Sequence, residues 1–377
     1  MAMPEVLIVG AGPVGTLLAA ELTRFGVGVE LLERRPAAGG GSRAIGLHAP
    51  TLAALEAGGA TERILSRAVR VRRGEARSDG RALGVVDFGR LDVRHPYVAT
   101  LPQAETEVAL RGSGPEPERG ATVTRITPDG RRVRVETDRG GRVAPIVVVA
   151  GGVGVRELVY RPGALRRTAY PDRYLMTDAA LPPREDAETA LVHLAPGGVL
   201  ESFPLPDGQR RFVVWDEGGS LEPHELAGRL RRAMRERGEP EAAEVVTEAT
   251  AFGVRRVLVP AMRRDRLFVI GDAAHEISPI GGQGLNLGLL DAATLAPLLA
   301  AWVRLGEAPE PDLAEWERDR LRSARTAGRM AAVNMRLGRP VSVAAHAVRS
   351  RVLGSVLAAT GSLVPHAYAM GLDAAAR

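Results

Sequence analysis

The chain opens on four consecutive apolar residues, Val6-Leu7-Ile8-Val9, a run suited to a strand buried on both faces. A Gly-rich turn follows. Leu17, Leu18, Glu21 and Leu22 then recur at helical spacing, and Gly26 closes that helix. Val29-Glu30-Leu31-Leu32-Glu33 reads as a second strand, which completes a strand–turn–helix–strand unit. Residues 37–42 read as a Gly-rich loop and 51–58 as a further helix. From 69 to 100 the texture shifts to short alternating pieces such as Gly84-Val85-Val86-Asp87-Phe88, which is antiparallel strand material. Strands are predicted over 121–126, 131–137 and 143–149. The first two flank the turn signal Pro128-Asp129-Gly130, and the third is an apolar run suited to a buried parallel strand. More strands are predicted over 174–177, 190–194, 199–203 and 211–215, then a charged helix over 223–238. Leu267-Phe268-Val269-Ile270 is another buried strand. The helix after it carries Leu285, Leu289, Ala292, Leu295, Leu299 and Trp302 on one face, with Pro297 inside it as a predicted kink. The C-terminal stretch is mostly helical.

This order predicts an α/β fold in which a nucleotide-binding domain is interrupted twice. Residues 1–75, 98–165 and 255–330 would form that domain, 76–97 and 166–254 a β-rich substrate domain, and 331–377 a C-terminal helical segment. Composition agrees: of 377 residues, 45% are hydrophobic and 25% charged, a globular balance. No run of about 18 uninterrupted apolar residues occurs, so no membrane span is expected. The N-terminus lacks a basic n-region and a cleavage site, so a cytoplasmic location is the expectation. Cysteine is absent, which excludes disulfides, thiolate nucleophiles and Cys-ligated clusters; no metal site is expected. All 50 basic residues are Arg, which excludes Schiff-base and P-loop lysines. The arginines are scattered among 45 acidic residues and aromatics are only 4%, so no nucleic-acid partner is expected.

Two motifs carry the chemistry. Gly10-Ala11-Gly12-Pro13-Val14-Gly15 fits G-x-G-x-x-G between a strand and a helix, with Glu33 and Arg34 at the end of the next strand. Gly10 permits the tight turn, Gly12 lets the backbone approach a pyrophosphate, and Gly15 lets helix and strand pack closely. Glu33 can accept hydrogen bonds from ribose hydroxyls. The second motif runs from Gly271-Asp272-Ala273-Ala274-His275 through Pro279 to Gly281-Gly282-Gln283-Gly284-Leu285-Asn286. Asp272 at a strand end can bind a ribityl or ribose hydroxyl. Gly282 and Gly284 let backbone approach a flat ring, and the helix N-terminus favours negative charge there.

With both motifs the chain resembles the class A, single-component flavoprotein monooxygenases of the aromatic-hydroxylase type, which have the para-hydroxybenzoate hydroxylase fold. It is most similar to those acting on aromatic polyketides and phenols. Ser42-Arg43-Ala44-Ile45-Gly46-Leu47-His48 resembles the family's Arg-containing loop, and Leu101-Pro102-Gln103 its Leu-Pro-Gln step into a helix, where Gln meets the flavin. The resemblance implies a Rossmann-like FAD domain of the glutathione-reductase type with an interleaved β-rich substrate domain. It also implies FAD as cofactor, NAD(P)H and O2 as co-substrates, and a small aromatic or polycyclic substrate. The oxygen adduct of the reduced flavin would hydroxylate that substrate in natural-product tailoring. Arg43 would assist flavin reduction, and Pro279 would lie beside the reactive edge of the ring. His48 and His275 are weighed as bases, with packing favoured for both. The family's middle Asp-Gly motif departs here: Gly151 stands in the Asp position, with Arg156 later. Three alternatives stay open at this point: Baeyer–Villiger insertion, epoxidation, and a non-catalytic FAD or ligand binder. Residues 341–370 fit a helical pair on the FAD domain, the interface of a homodimer, or a membrane-surface contact.

Overall fold

The structure, a computed structural model, describes residues 3–37, 39, 44–161, 163–359 and 363–373. Its central sheet has six strands in the order Arg263–Arg264, Leu267–Val269, Ile146–Val149, Val6–Val9, Val29–Glu33, Glu118–Arg119. Every neighbouring pair is parallel except the first. Val6–Val9 and Ile146–Val149 lie in the middle and are buried throughout, which is why neither alternates with polar residues. Their register, Val6 opposite Ile146 and Val9 opposite Val149, brings the turns after both strands to one edge. Pro13–Arg24 packs against Gln283–Leu305. The antiparallel strands Val123–Asp129, Arg132–Thr137 and Gly140–Ala144 form a separate layer whose last two members contact the central strands.

The second large sheet has eight strands in the order His275–Glu276, Thr250–Leu258, Arg167–Ala180, Gln209–Asp216, Gly198–Pro204, Thr189–Ala195, Arg73–Ser78, Arg81–Asp87. Strand alternation gives it two apolar faces. Leu175, Leu200, Phe212 and Val214 pack under Leu226, Leu230 and Met234 of the helix Pro223–Glu236. Tyr174, Val199, Val213 and Phe252 face the other way, toward Ile280 and Met335. A small sheet of Gly46–Leu47, Val98–Thr100 and Val69–Val71 lies between the larger ones in chain order.

Several elements differ from the reading of the sequence. The run 143–149 is two strands, because Pro145 has no N–H to extend a ladder. Gly140–Ala144 stays in the antiparallel layer and Ile146–Val149 enters the central sheet. The helix expected over 51–58 begins at Ala49 and ends at Ala54. Gly59, at φ 69°, then starts a second short helix, Ala60–Leu65. Thr250–Leu258 is a full strand that the pattern did not announce. Pro297 lies inside its helix, as the sequence predicts; the helix runs from Gln283 to Leu305, with Pro297 on its exposed face. By length and composition that helix could cross a membrane. Here Leu289, Leu295 and Leu299 are fully buried in the core, which accounts for its apolarity.

Candidate active site

The chain reverses sharply where the central strands end. Gly10 adopts φ 107°, and a Cβ there would stand 2.4 Å from Cα of Gly151. A Cβ on Gly15 would stand 1.9 Å from the Gly10 carbonyl oxygen, so the helix can sit on the strand only with glycine here. Gly12 is different: no atom lies within 4 Å of where its Cβ would be. It faces a cavity of about 990 Å³. It also caps the helix Pro13–Arg24 without a side-chain hydrogen bond. First-turn amides have no acceptor inside their own helix, so they are offered to an anion in that space.

Glu33 closes the same end of the cavity. Its Oε2 accepts the Ala11 N–H at 2.9 Å, and its Oε1 accepts the backbone N–H of Arg35 at 2.8 Å and its Nε at 3.0 Å. Burial alone would raise the pKa of this carboxyl. The Arg35 and Ala11 donors outweigh burial and hold it below the ordinary carboxylate value. An anionic Glu33 therefore lines the cavity beside Arg34, Arg35, Pro13 and Val14. Sequence reasoning missed Arg35, because its role depends on a turn only two residues long.

The second motif lines the same cavity. Asp272, Pro279, Gly281, Gly282, Gly284 and Leu285 line it, as do Gln103 and His48. Gly282, at φ 67°, caps the helix Gln283–Leu305 without a side-chain bond, so a second helix N-terminus opens on this space. Gln103 also donates to Glu107 at 2.9 Å. Gly15, Gly271 and Asn286 do not line the cavity. Asn286 is fully buried and holds the loop before the helix: Oδ1 accepts the His48 N–H at 2.9 Å, and Nδ2 donates to the carbonyls of Gly46 and Gly282. Its action on a ligand is through that loop. Arg43 lies outside the described residues.

The two histidines sit differently: His48 lines the cavity and His275 does not. Burial pushes His48 down to about 4, so it is a neutral imidazole near neutral pH, although the Gly282 backbone acts the other way. His275 is fully buried and away from the cavity, with Nε2 2.6 Å from Asp291. Burial would lower the pKa of His275, but the Asp291 carboxylate wins and raises it. Asp291 also accepts the Gly271 N–H at 3.0 Å and Arg320 Nε at 2.7 Å. The turn at Gly271 is thus anchored from below. Arg156 anchors it from the side: Nη2 bonds the Asp272 carbonyl, Nε the Ala273 carbonyl at 3.2 Å, and Nη1 the Glu276 carboxylate at 2.7 Å. Asp291 lies on the helix that the second motif opens and Arg156 was noted from the middle motif, but their bonds to this turn were not legible, because the motifs show residues and not pairings.

Gly151 also lines the cavity, at φ −82°, a conformation open to any residue. A Cβ there would meet Val155 Cγ1 at 2.6 Å. A further wall comes from the eight-stranded sheet, with Met176, Val192, Val213 and Phe252, and others from the small sheet and the later helices, with Thr100, Asn334 and Leu353. A flavin dinucleotide fits this arrangement. The Gly12 cradle would take the pyrophosphate, Glu33 a ribose, and the space beside Pro279 and Gly282 the ring, which leaves the apolar sheet face for a second molecule.

The FAD binding domain family model matches residues 3–331. The chain is 34% identical to 6-methylpretetramide 4-monooxygenase of Streptomyces rimosus, over 96% of its own length and 70% of that protein's. It spans 63% to 70% of the length of the first curated relatives it matches. Among solved structures, p-nitrophenol 4-monooxygenase PnpA from Pseudomonas putida DLL-E4 shares the fold with a TM-score of 0.84, at 24% identity over 98% of each chain. OxyS anhydrotetracycline hydroxylase from Streptomyces rimosus matches with a TM-score of 0.76 and 26% identity, over 99% of this chain and 76% of that one. The chain belongs to the FAD binding domain family, among the flavoprotein monooxygenases of the aromatic-hydroxylase type that its two motifs resemble.

Proposed function

We propose that this chain hydroxylates an aromatic or polycyclic small molecule, using FAD, NAD(P)H and O2. One observation carries the reading: a single cavity joins the glycine cradle at Gly12 to the apolar sheet face at Met176, Val213 and Phe252, past Pro279. Bound FAD supplies the redox and oxygen chemistry. The chain's own part is binding, orientation and exclusion of water. The helix begun by Pro13 offers its amides to the pyrophosphate, and Glu33, fixed as an anion, takes ribose hydroxyls. The helix begun by Gln283 points its positive end at the ring, where it stabilises negative charge. Arg43 assists reduction, and Gln103 and Asp272 complete the enclosure. Val192, Val213 and Phe252 keep water from the reacting edge. The relatives' printed activities on a pretetramide, an anhydrotetracycline and a nitrophenol support an aromatic substrate.

Purified protein should carry FAD without a covalent bond. A panel of polycyclic phenols should then accelerate NAD(P)H oxidation and yield products heavier by one oxygen atom. Protein that cannot be loaded with FAD would remove the reading. Loaded protein that oxidises NAD(P)H equally with and without every phenol would leave a flavoprotein of another kind.

A further inference from the structure

The cavity face of the eight-stranded sheet carries one polar residue in an apolar row. Val192, Glu201, Val213 and Met176 lie opposite one another on four successive strands, and all four line the cavity. Glu201 is 9% exposed and makes no hydrogen bond or ion pair among the described residues. The titratable and charged groups around it do not bond it. Tyr174, on the strand Arg167–Ala180, has a buried hydroxyl that is itself without a partner. Tyr368, on the helix Leu363–Tyr368, donates its hydroxyl at 2.8 Å to Asn334 of the helix Glu310–Gly338. Arg211, on the adjacent strand, is held by Asp178 at 2.7 and 2.6 Å. Burial, with no cation to oppose it, pushes the Glu201 carboxyl up to about 7.

We propose that Glu201 forms a hydroxyl-binding subsite of this cavity, its carboxyl accepting the hydrogen bond of a phenolic or enolic O–H on the substrate. The proposal deepens the aromatic-hydroxylase reading and rests on it. A buried acceptor left unmet costs free energy unless a ligand supplies the donor. Such a group selects strongly against analogues that lack the donor, where an apolar wall would not. A hydroxyl also suits the titration of this carboxyl. Near neutral pH it is divided between acid and anion; an ammonium ligand would need the anion, whereas a hydroxyl bonds to either form and more tightly to the anion. Pro279 and Ile280 line the same cavity. Glu201 thus sits in one chamber with the proposed flavin edge and orients a ring by its hydroxyl.

The test uses FAD-loaded protein without reductant, and two probes: 2-naphthol and its methyl ether, 2-methoxynaphthalene. Binding is read from probe fluorescence and from the change in flavin absorption. The wild type should bind the naphthol about 10- to 100-fold more tightly than the ether at pH 8, the range for a hydrogen bond to a charged group. The advantage should shrink at pH 6, where Glu201 is protonated; 2-naphthol itself does not ionise in this range. Glu201→Leu should abolish the preference. Glu201→Gln keeps an acceptor of the same shape, so it should retain part of the preference without the change between pH 6 and pH 8. Equal affinity for both probes in the wild type overturns the proposal. So does a preference that survives Glu201→Leu, or one that neither Glu201→Gln nor pH alters, in protein that still holds FAD. Failure to take up FAD, seen before either probe is added, counts instead against the flavin reading.

Discussion

A carboxyl in an apolar wall is carried into a fold more easily as a neutral acid than as an anion, and this fixes the sign of the pH dependence at Glu201. Its ordinary value is 4.5, and burial raises it to about 7 in the folded chain. As pH rises from 4.5 to 7 the unfolded chain gives up the proton first, so stability falls across that window and levels off above it. The loss is on the order of 3 kcal/mol as an upper bound. Glu201→Gln removes it. The variant should melt roughly 2–5 °C above the wild type at pH 8 and close to it at pH 5. A carboxylate stabilised by a partner, as Glu33 is by Arg35 and Ala11, would give the opposite trend under the same substitution. A Tm gain at pH 5 as large as that at pH 8 would mean that Glu201 is not a buried acid. Nothing in the sequence singles out Glu201. It is one acidic residue in an alternating strand, and its isolation depends on what five other segments bring around it.

At the scale of elements, the turn after Ile146–Val149 decides what the missing carboxylate at position 151 means. Gly151 is not held by its dihedral angles, since φ −82° suits any residue. It is held by Val155, whose Cγ1 would lie 2.6 Å from a new Cβ on the next 3₁₀ turn. Val is stiff at χ1, so Gly151→Asp alone should cost about 1–3 kcal/mol by overpacking. Gly151→Asp with Val155→Ala should recover most of that in thermal melts. The double variant should also be reduced by NAD(P)H faster than the wild type, followed by bleaching of the flavin band. Equal melting of single and double variants would discard Val155 as the obstacle. Unaltered reduction would show that the chain does not need the carboxylate. The strands around this turn were legible because Val6–Val9 and Ile146–Val149 are short apolar runs that lead into glycine turns. Thr250–Leu258 was not, because Gly253, Arg255 and Arg256 interrupt its alternation, and its pairing with Arg167–Ala180 supplies the strand. Pro145, a single residue, separates two strands that periodicity merges.

Across the whole molecule, one guanidinium bridges the two large sheets. Arg156 belongs to the turn that leaves the six-stranded sheet, and Glu276 to the strand that edges the eight-stranded one; 120 positions separate them. No local pattern could pair them, which is why the motifs showed each segment but not the joint. Arg156 is only 4% exposed and spends its other donors on the carbonyls of Asp272 and Ala273. The same side chain therefore ties the sheets together and sets the backbone of the second motif. Arg156→Met strands Glu276 against the cavity and leaves two carbonyls unmet. Glu276 is partly exposed, so the loss is that of hydrogen bonds to a charged group, about 1–3 kcal/mol. Arg156→Met with Glu276→Met removes the stranded charge, so denaturant melts should return part of that loss. FAD affinity should stay low in both variants, because the Asp272 and Ala273 carbonyls have lost their anchor in each. Stability recovered together with full FAD affinity would mean that Arg156 only balances Glu276. Stability recovered without it would separate the two tasks of one residue: the ion pair joins the sheets, and the carbonyl bonds shape the wall that the cofactor meets.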